Sequence, residues 1–352
     1  MPISTVLISF ANITYKPLNM KKIFLLMFAA ICFAACGGDE NSIPGVTPDE
    51  PNTTPKEFLV SLGFSGEITS IEESPLSRAA TNDLYGIQVY SSPTSSDNYK
   101  PYAYGLFDSK DGMVIKLLEG YKYKFVSSMV VDGKQKISSY ESSYDPPFKR
   151  SGFSTKLENK FNYDSGKEMG NLDNGYTYLA EPSGNFDHPN IMRYYGEVTD
   201  YVPTANGSVS INMKKVVFGA KFITEGFTEG TLYIKLKDAP TLQLVFPQTE
   251  VEDIFTFENK YPSGNRWTAD TYTETILVSI SWQKNDGAIV PLINQEVTFK
   301  RNIKTTITVK VNDSSVNQGL NITEEKNELQ PGENIVLESS GAGNTPVNPS
   351  AN

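Results

Sequence analysis

The sequence predicts an all-β protein, and three observations carry the prediction. Apolar residues recur with a period of two in run after run. Dipeptides of the Asp-Gly type separate the runs. No stretch of ten or more residues repeats at the helical period. A chain of 352 residues has room for about two domains. The expectation is two tandem antiparallel β-sandwiches behind a leader and a flexible tether. Residues 56–204 are assigned to the first sandwich, 205–322 to the second, and 323–352 to a C-terminal extension that is partly without order.

The leader comes first. Met20-Lys21-Lys22 is a short basic start, Ile23 to Phe33 is an apolar run of signal-peptide length, and Ala34-Ala35 puts small side chains before Cys36. Residues 1–19 lack this logic, so Met20 reads as the true start. The string Phe33-Ala34-Ala35-Cys36-Gly37-Gly38 resembles a bacterial lipobox. That resemblance implies a signal peptide over 1–35, cleavage before Cys36 and acylation of Cys36, with outer-membrane lipid as the partner. Asp39-Glu40 just behind the cysteine resembles the export tag of Bacteroidetes surface lipoproteins, which implies a lipid-anchored protein on the outer face of the cell outer membrane. Residues 37–55 are Gly, Asp, Asn, Pro and Thr with little apolar content and read as the tether.

Removing residues 1–35 takes three lysines and no acid, leaving 28 basic and 41 acidic residues and a formal charge of −13. Such a balance argues against nucleic acid as a partner and against attraction to anionic head groups. Cys32 leaves with the leader and Cys36 goes to lipid, so no disulfide is expected and the core must supply the stability.

The strands follow in order. Phe58, Val60, Leu62 and Phe64 alternate with Leu59, Ser61 and Gly63. Tyr85, Ile87 and Val89 oppose Leu84, Gly86, Gln88 and Tyr90. Tyr121, Tyr123 and Phe125 are separated by Lys122 and Lys124. Ile276, Val278, Ile280 and Trp282 form one face of a fourth strand, and Ile303 to Val311 alternate in a fifth. All read as half-buried strands. Turn signals fall at Asp111-Gly112, Asp132-Gly133, Glu229-Gly230 and Asp286-Gly287. A faint internal echo pairs the block from Lys110 to Gly133 with that from Asn285 to Asp313, as two copies of one unit would. Residues 134–205 are poor in pattern and read as long loops at the edge of the first sandwich, with a domain boundary near Pro203–Gly207.

Groups for chemistry are sparse. One histidine and two cysteines cannot form a His/Cys metal site, and a His-based triad would rest on His188 alone. His188 lies in the loop string Asn185-Phe186-Asp187-His188-Pro189-Asn190 and reads as a satisfied or exposed loop residue. Glu72-Glu73 and Glu324-Glu325 could serve glycoside hydrolysis only if folding brought two carboxyls within several ångströms, so a solvated acidic face is expected. There is no Gly-rich phosphate loop and no calcium loop. Catalysis, cofactor and metal are therefore not expected. Flat rings stack on sugars, so Trp267, in Tyr261-Pro262-Ser263-Gly264-Asn265-Arg266-Trp267, is flagged as a ring that either packs in its loop or meets a ligand. Tyr194 and Tyr195 are flagged with it; Trp282 shares a face with Ile280 and Val278 and is assigned to the core.

Beyond the lipobox, Leu76-Ser77-Arg78-Ala79-Ala80, Leu84-Tyr85-Gly86-Ile87-Gln88-Val89-Tyr90, Leu118-Glu119-Gly120-Tyr121-Lys122-Tyr123-Lys124-Phe125 and Lys300-Arg301-Asn302 resemble, in layout and short strings over most of 36–322, the fimbrillin-type lipoproteins of Bacteroidetes. The resemblance implies two tandem Greek-key, transthyretin-like sandwiches. It also implies, for polymerising members, cleavage after an arginine behind the first strand. Here that is Arg78, behind Phe58–Phe64. The strand would then leave, and another subunit would partner the chain by strand addition. The family's donor strand closes the chain; here Ile335-Val336-Leu337 is the strand-like candidate in a polar stretch, and 341–352 look loose. Two functional readings follow: a surface-anchored structural or adhesive protein, fimbrillin-like subunit or accessory adhesin; or a surface lipoprotein that binds glycan for a polysaccharide-uptake system.

Overall fold

In the computed structural model the described residues are 55–68, 82–260 and 266–311, with the backbone of 322–323 and 331–338. All fall in one compact unit, Thr53–Asn352. Cys36, Arg78 and the pairs Glu72-Glu73 and Glu324-Glu325 lie outside the described residues.

Counting the long strands only, the first half supplies β1 (Glu57–Gly66), β2 (Leu84–Pro93), β3 (Lys100–Phe107), β4 (Val114–Leu118), β5 (Tyr121–Val130), β6 (Arg193–Tyr201) and β7 (Ser208–Lys215). The second supplies β8 (Val217–Glu225), β9 (Thr231–Leu236), β10 (Leu242–Val245), β11 (Glu250–Thr256), β12 (Thr273–Gln283), β13 (Ile289–Lys300) and β14 (Lys304–Lys310). In the first half one continuous sheet runs β4-β1-β7-β6-β5-β2-β3 and ends on the short strand Asn162–Tyr163; in the second half β11-β8-β14 and β13-β12-β9-β10 belong to two separate sheets. Adding seven to each label converts one half into the other. The described residues therefore repeat one seven-strand order, with the β7–β6 pairing joining the two ladders in the first copy alone.

One pair in each copy departs from the antiparallel expectation. β1 runs parallel to β7, from Ser61 opposite Ser208 to Gly66 opposite Met213, and β8 runs parallel to β14, from Gly219 opposite Lys304 to Glu225 opposite Lys310. The last strand of each copy lies beside its first, and the two enter the sheet from the same end.

Alternation builds the first core. Phe58, Val60 and Leu62 of β1 point inward with Ile115 and Leu117 of β4 and Val209, Ile211 and Met213 of β7. They meet Tyr85, Ile87 and Val89 of β2, Phe125 of β5 and Tyr194 of β6. The second copy repeats this with Phe218 and Phe222 of β8 against Ile276, Val278 and Ile280 of β12. Burying each such side chain contributes about 1.5–3 kcal/mol. The turn glycine Gly230 has φ of 76°, and a Cβ there would lie 2.0 Å from the carbonyl oxygen of Gln283, so only glycine closes the turn into β9.

Two expectations meet the strand order. The boundary near 203–207 precedes β7, yet β7 pairs with β1 and, through Tyr194 opposite Lys215, with β6. The period-two run of Val209, Ile211 and Met213 packs in the first core, whereas Phe218 packs in the second. The segment 134–205 lies at an edge only in part, where Asn162–Tyr163 pairs with β3. Its end forms β6, and residues 131–192 are inserted between β5 and β6, where the second copy has only a tight turn at Lys284–Ala288. Ile137, Phe148, Met169, Leu172 and Leu179 of the insertion cover the outer face of β2, β3 and β5. β2 is consequently buried on both faces over Leu84–Val89, not half-buried. Gln88, fully buried, ties the layers together: its Oε1 accepts from the amide of Met169 and its Nε2 donates to the carbonyl of Ala103.

At the C-terminus β15 (Ile322–Thr323) and β16 (Pro331–Glu338) extend the sheet, with β16 parallel to β14. Ile335-Val336-Leu337 is thus in a strand. Among the described residues the one α-helix is Gly133–Lys136, and no helix is long and apolar enough to cross a membrane.

Candidate functional site

The insertion leaves one part of the outer face open. Register places Tyr90 opposite Lys124, and Val126 opposite Glu197, so β2, β5 and β6 present these side chains on one face. Glu168, Leu172 and Asp173 of the insertion stand over them, and Tyr99 of the β2–β3 loop closes the rim. Together they bound a cleft of about 350 Å³.

Its polar groups are organised. The Tyr90 hydroxyl donates to Glu168 in a short hydrogen bond. The Tyr195 hydroxyl donates to Glu197 Oε2 at 3.0 Å, and Lys124 Nζ approaches the same oxygen at 3.1 Å. At the rim the Tyr99 hydroxyl donates to Asp200 Oδ1 at 2.9 Å, and Lys122 Nζ sits 5.7 Å from the Tyr99 ring centre. Desolvation pushes the Tyr90 and Tyr195 phenols up, with the adjoining carboxylates adding to it, so both stay protonated donors. Desolvation also raises the Asp173 carboxyl, although the Arg193 guanidinium pulls the other way. The cleft therefore holds three carboxyls and one ammonium, with two tyrosine hydroxyls already committed to the carboxylates.

Arg193 fixes the cleft's wall. It is fully buried at the start of β6. Its Nε donates to Ser128 Oγ at 2.7 Å, Nη1 to the carbonyl of Asn174 at 2.7 Å, and Nη2 to the carbonyls of Asn171 and Leu172 at 2.8 and 3.0 Å. Burial lowers its pKa to about 9, so the group is a cation at neutral pH. Its charge faces backbone carbonyls that bracket Asp173.

The flagged rings take separate places. Trp267 is fully buried; its ring packs on Tyr195 with centres 5.3 Å apart and lies 5.5 Å from the Arg193 guanidinium. It offers no face to a ligand, because a loop of the second copy drives it into the layer between β6 and the insertion. Tyr194 points into the first core. Neither is an exposed contact ring. Tyr195 alone reaches the cleft, by its hydroxyl edge. Tyr90, Tyr99, Lys124, Glu168, Asp173 and Glu197 were not flagged. They come from separate segments that only the strand register and the insertion bring together.

His188 is buried, and its Nδ1 lies 3.2 Å from the carbonyl of Thr256, which makes Nδ1 the protonated nitrogen. Ligand atoms of His188, Glu258 and Glu274 lie within 4.8 Å of one another. Glu274, however, already accepts from the amides of Glu258 and Asn259 at 3.2 and 2.9 Å and from the Tyr272 hydroxyl. With Nδ1 donating to the Thr256 carbonyl and the Glu274 carboxylate already accepting three hydrogen bonds, the group is a hydrogen-bonded polar knot at the start of β12.

No family model matches the chain, and no curated protein matches it. Among solved structures it is similar to a provisional adhesin of Bacteroides thetaiotaomicron, at 12% identity over 69% of this chain and 81% of that one, with a TM-score of 0.32. It is similar to the fimbrial anchor protein Mfa2 of Porphyromonas gingivalis, at 10% identity over 68% and 82%, with a TM-score of 0.30. A third likeness is to a provisional polysaccharide-binding protein of Bacteroides thetaiotaomicron, at 9% identity over 66% and 78%, with a TM-score of 0.30. Scores this low decide nothing about function, so the reading that follows rests on this chain's own residues.

Proposed function

We propose that the chain is a surface lipoprotein, fastened to the outer membrane through acylated Cys36, with a structural or adhesive role and no catalysis. The duplicated seven-strand order carries this reading, because two tandem sandwiches are what the fimbrillin resemblance implies. The lipobox supplies the anchor and the acidic pair behind it the surface address. The two copies are separate sandwich domains in this reading, and fimbrial subunits are its partners by strand addition.

The position of β1 supports processing at Arg78. β1 lies between β4 and β7 and buries Phe58, Val60 and Leu62. At about 1.5–3 kcal/mol for each side chain, β1 does not leave an intact fold, so its release requires a cut behind it. Its departure would expose two ladder edges and three pockets, a template for an incoming strand. Treating the purified protein with an Arg-specific protease tests this. A species trimmed after Arg78 that forms a ladder of multimers is expected; a chain that is neither trimmed there nor multimerised contradicts the assembling form of the proposal. The open cleft favours a second reading, ligand capture at the surface.

A further inference from the structure

We propose that the cleft bounded by β2, β5, β6 and the insertion binds a neutral saccharide, held between the Tyr90 and Tyr99 rings and the Glu168, Asp173, Glu197 and Lys124 side chains. The proposal rests on the second reading above and names its ligand class.

Charge and hydrogen-bonding capacity select the class. The Tyr90 and Tyr195 hydroxyls are spent on Glu168 and Glu197, so Tyr90 contributes ring surface and the carboxylates contribute acceptors. Asp173 is partly desolvated and adds further acceptor capacity. A ligand must therefore donate several hydrogen bonds. It must also lie beside the ammonium of Lys124, whose pairing with Glu197 leaves it 31% exposed. An anion meets three carboxyls against one ammonium and is repelled. An amine is drawn by the carboxylates and donates to them, but it cannot accept from Lys124 and is repelled by that one ammonium. A hydroxyl does both, donating to a carboxylate and accepting from an ammonium, and a sugar ring carries several hydroxyls along one edge.

Shape agrees. Apolar C–H faces of a pyranose pack on tyrosine rings, and Tyr90 and Tyr99 are both partly exposed at the opening. At about 350 Å³ the cleft is near the small end of ligand sites, which span roughly 300–1,000 Å³. That is room for on the order of one or two sugar rings. The floor is rigid sheet and the wall is clamped by Arg193, so little ordering opposes binding.

The test is calorimetric titration of the full chain in a non-glycosidic detergent. The probes are methyl glucoside, methyl galactoside, methyl mannoside, N-acetylglucosamine and lactose, with putrescine and glucuronate as charged comparators. Saturable binding of at least one neutral sugar is expected, weakened at least about tenfold in Tyr99→Ala and in Glu168→Gln. Both positions are at the opening, so these variants are expected to keep the wild-type melting temperature. Ile289→Ser, on the second copy, is expected to bind as wild type does. Binding of putrescine or glucuronate alone overturns the saccharide class while leaving ligand capture standing. No binding by any probe overturns both. Sugar binding untouched by the Tyr99 and Glu168 changes places the sugar elsewhere and overturns the assignment.

Discussion

Replacing Arg193 with methionine keeps a long side chain but removes every donor. Three backbone carbonyls, of Asn171, Leu172 and Asn174, and the Ser128 hydroxyl then lose their partner in a buried layer. A hydrogen bond from a charged donor contributes about 1.5–3 kcal/mol. Four of them overstate the loss, because the variant no longer desolvates a guanidinium. A net destabilisation of about 3–5 kcal/mol is expected, the range for removing one side of a buried charged constellation. At roughly 2–4 °C per kcal/mol, the melting temperature should fall by on the order of 6–20 °C in differential scanning calorimetry. Arg193→Lys should lose most of the same stability, since one ammonium cannot replace a planar fork spanning four acceptors. A methionine variant that melts within about 2 °C of wild type, or a lysine variant that restores full stability, would refute the clamp.

Other consequences follow from the same layer. Asp173 has a raised pKa when folded, so the folded state holds its proton over a window in which the unfolded state has lost it, and stability falls as pH rises through that window. Asp173→Asn should therefore raise the melting temperature relative to wild type at pH 7 and lose that advantage at pH 3; a variant less stable than wild type at pH 7 contradicts the sign. Trp267 packs on Tyr195, but its buried Nε1 has no hydrogen-bond partner among the described residues. Trp267→Phe should cost no more than about 1.5 kcal/mol, whereas Trp267→Ala should cost about 3–5 kcal/mol, as read by urea denaturation. Equal losses in the two would show that ring packing is not what the residue supplies.

Local pattern made the strands legible. The alternation of Phe58, Val60 and Leu62 encodes one buried face, and β1 has it. What failed was whatever depended on partners distant in sequence. Nothing in Leu84–Val89 signals that its second face is covered, because the covering residues, Phe148 and Leu172 among them, lie in a segment with no period of its own. The internal echo misaligns the copies: it sets Lys110–Gly133 against Asn285–Asp313, whereas topology matches β5 with β12 and β6 with β13. Any two hairpins look alike in sequence, and the 131–192 insertion falls within the very hairpin that would have set the register. Trp267 sits in a polar string, which gives no sign that its ring packs inward on Tyr195. The cleft could not be read in advance, since Tyr90, Lys124, Glu168 and Glu197 converge only through cross-strand pairing and one long return of the chain.

The anchor bears most weight in the functional account, and metabolic labelling tests it directly. Cells that process bacterial lipoproteins, expressing the full chain, are grown with labelled palmitate, and the protein is recovered from the outer membrane. Label on the wild-type protein and its loss in Cys36→Ala is the predicted result. An unlabelled wild type, or a Cys36→Ala protein that still carries label, would contradict it.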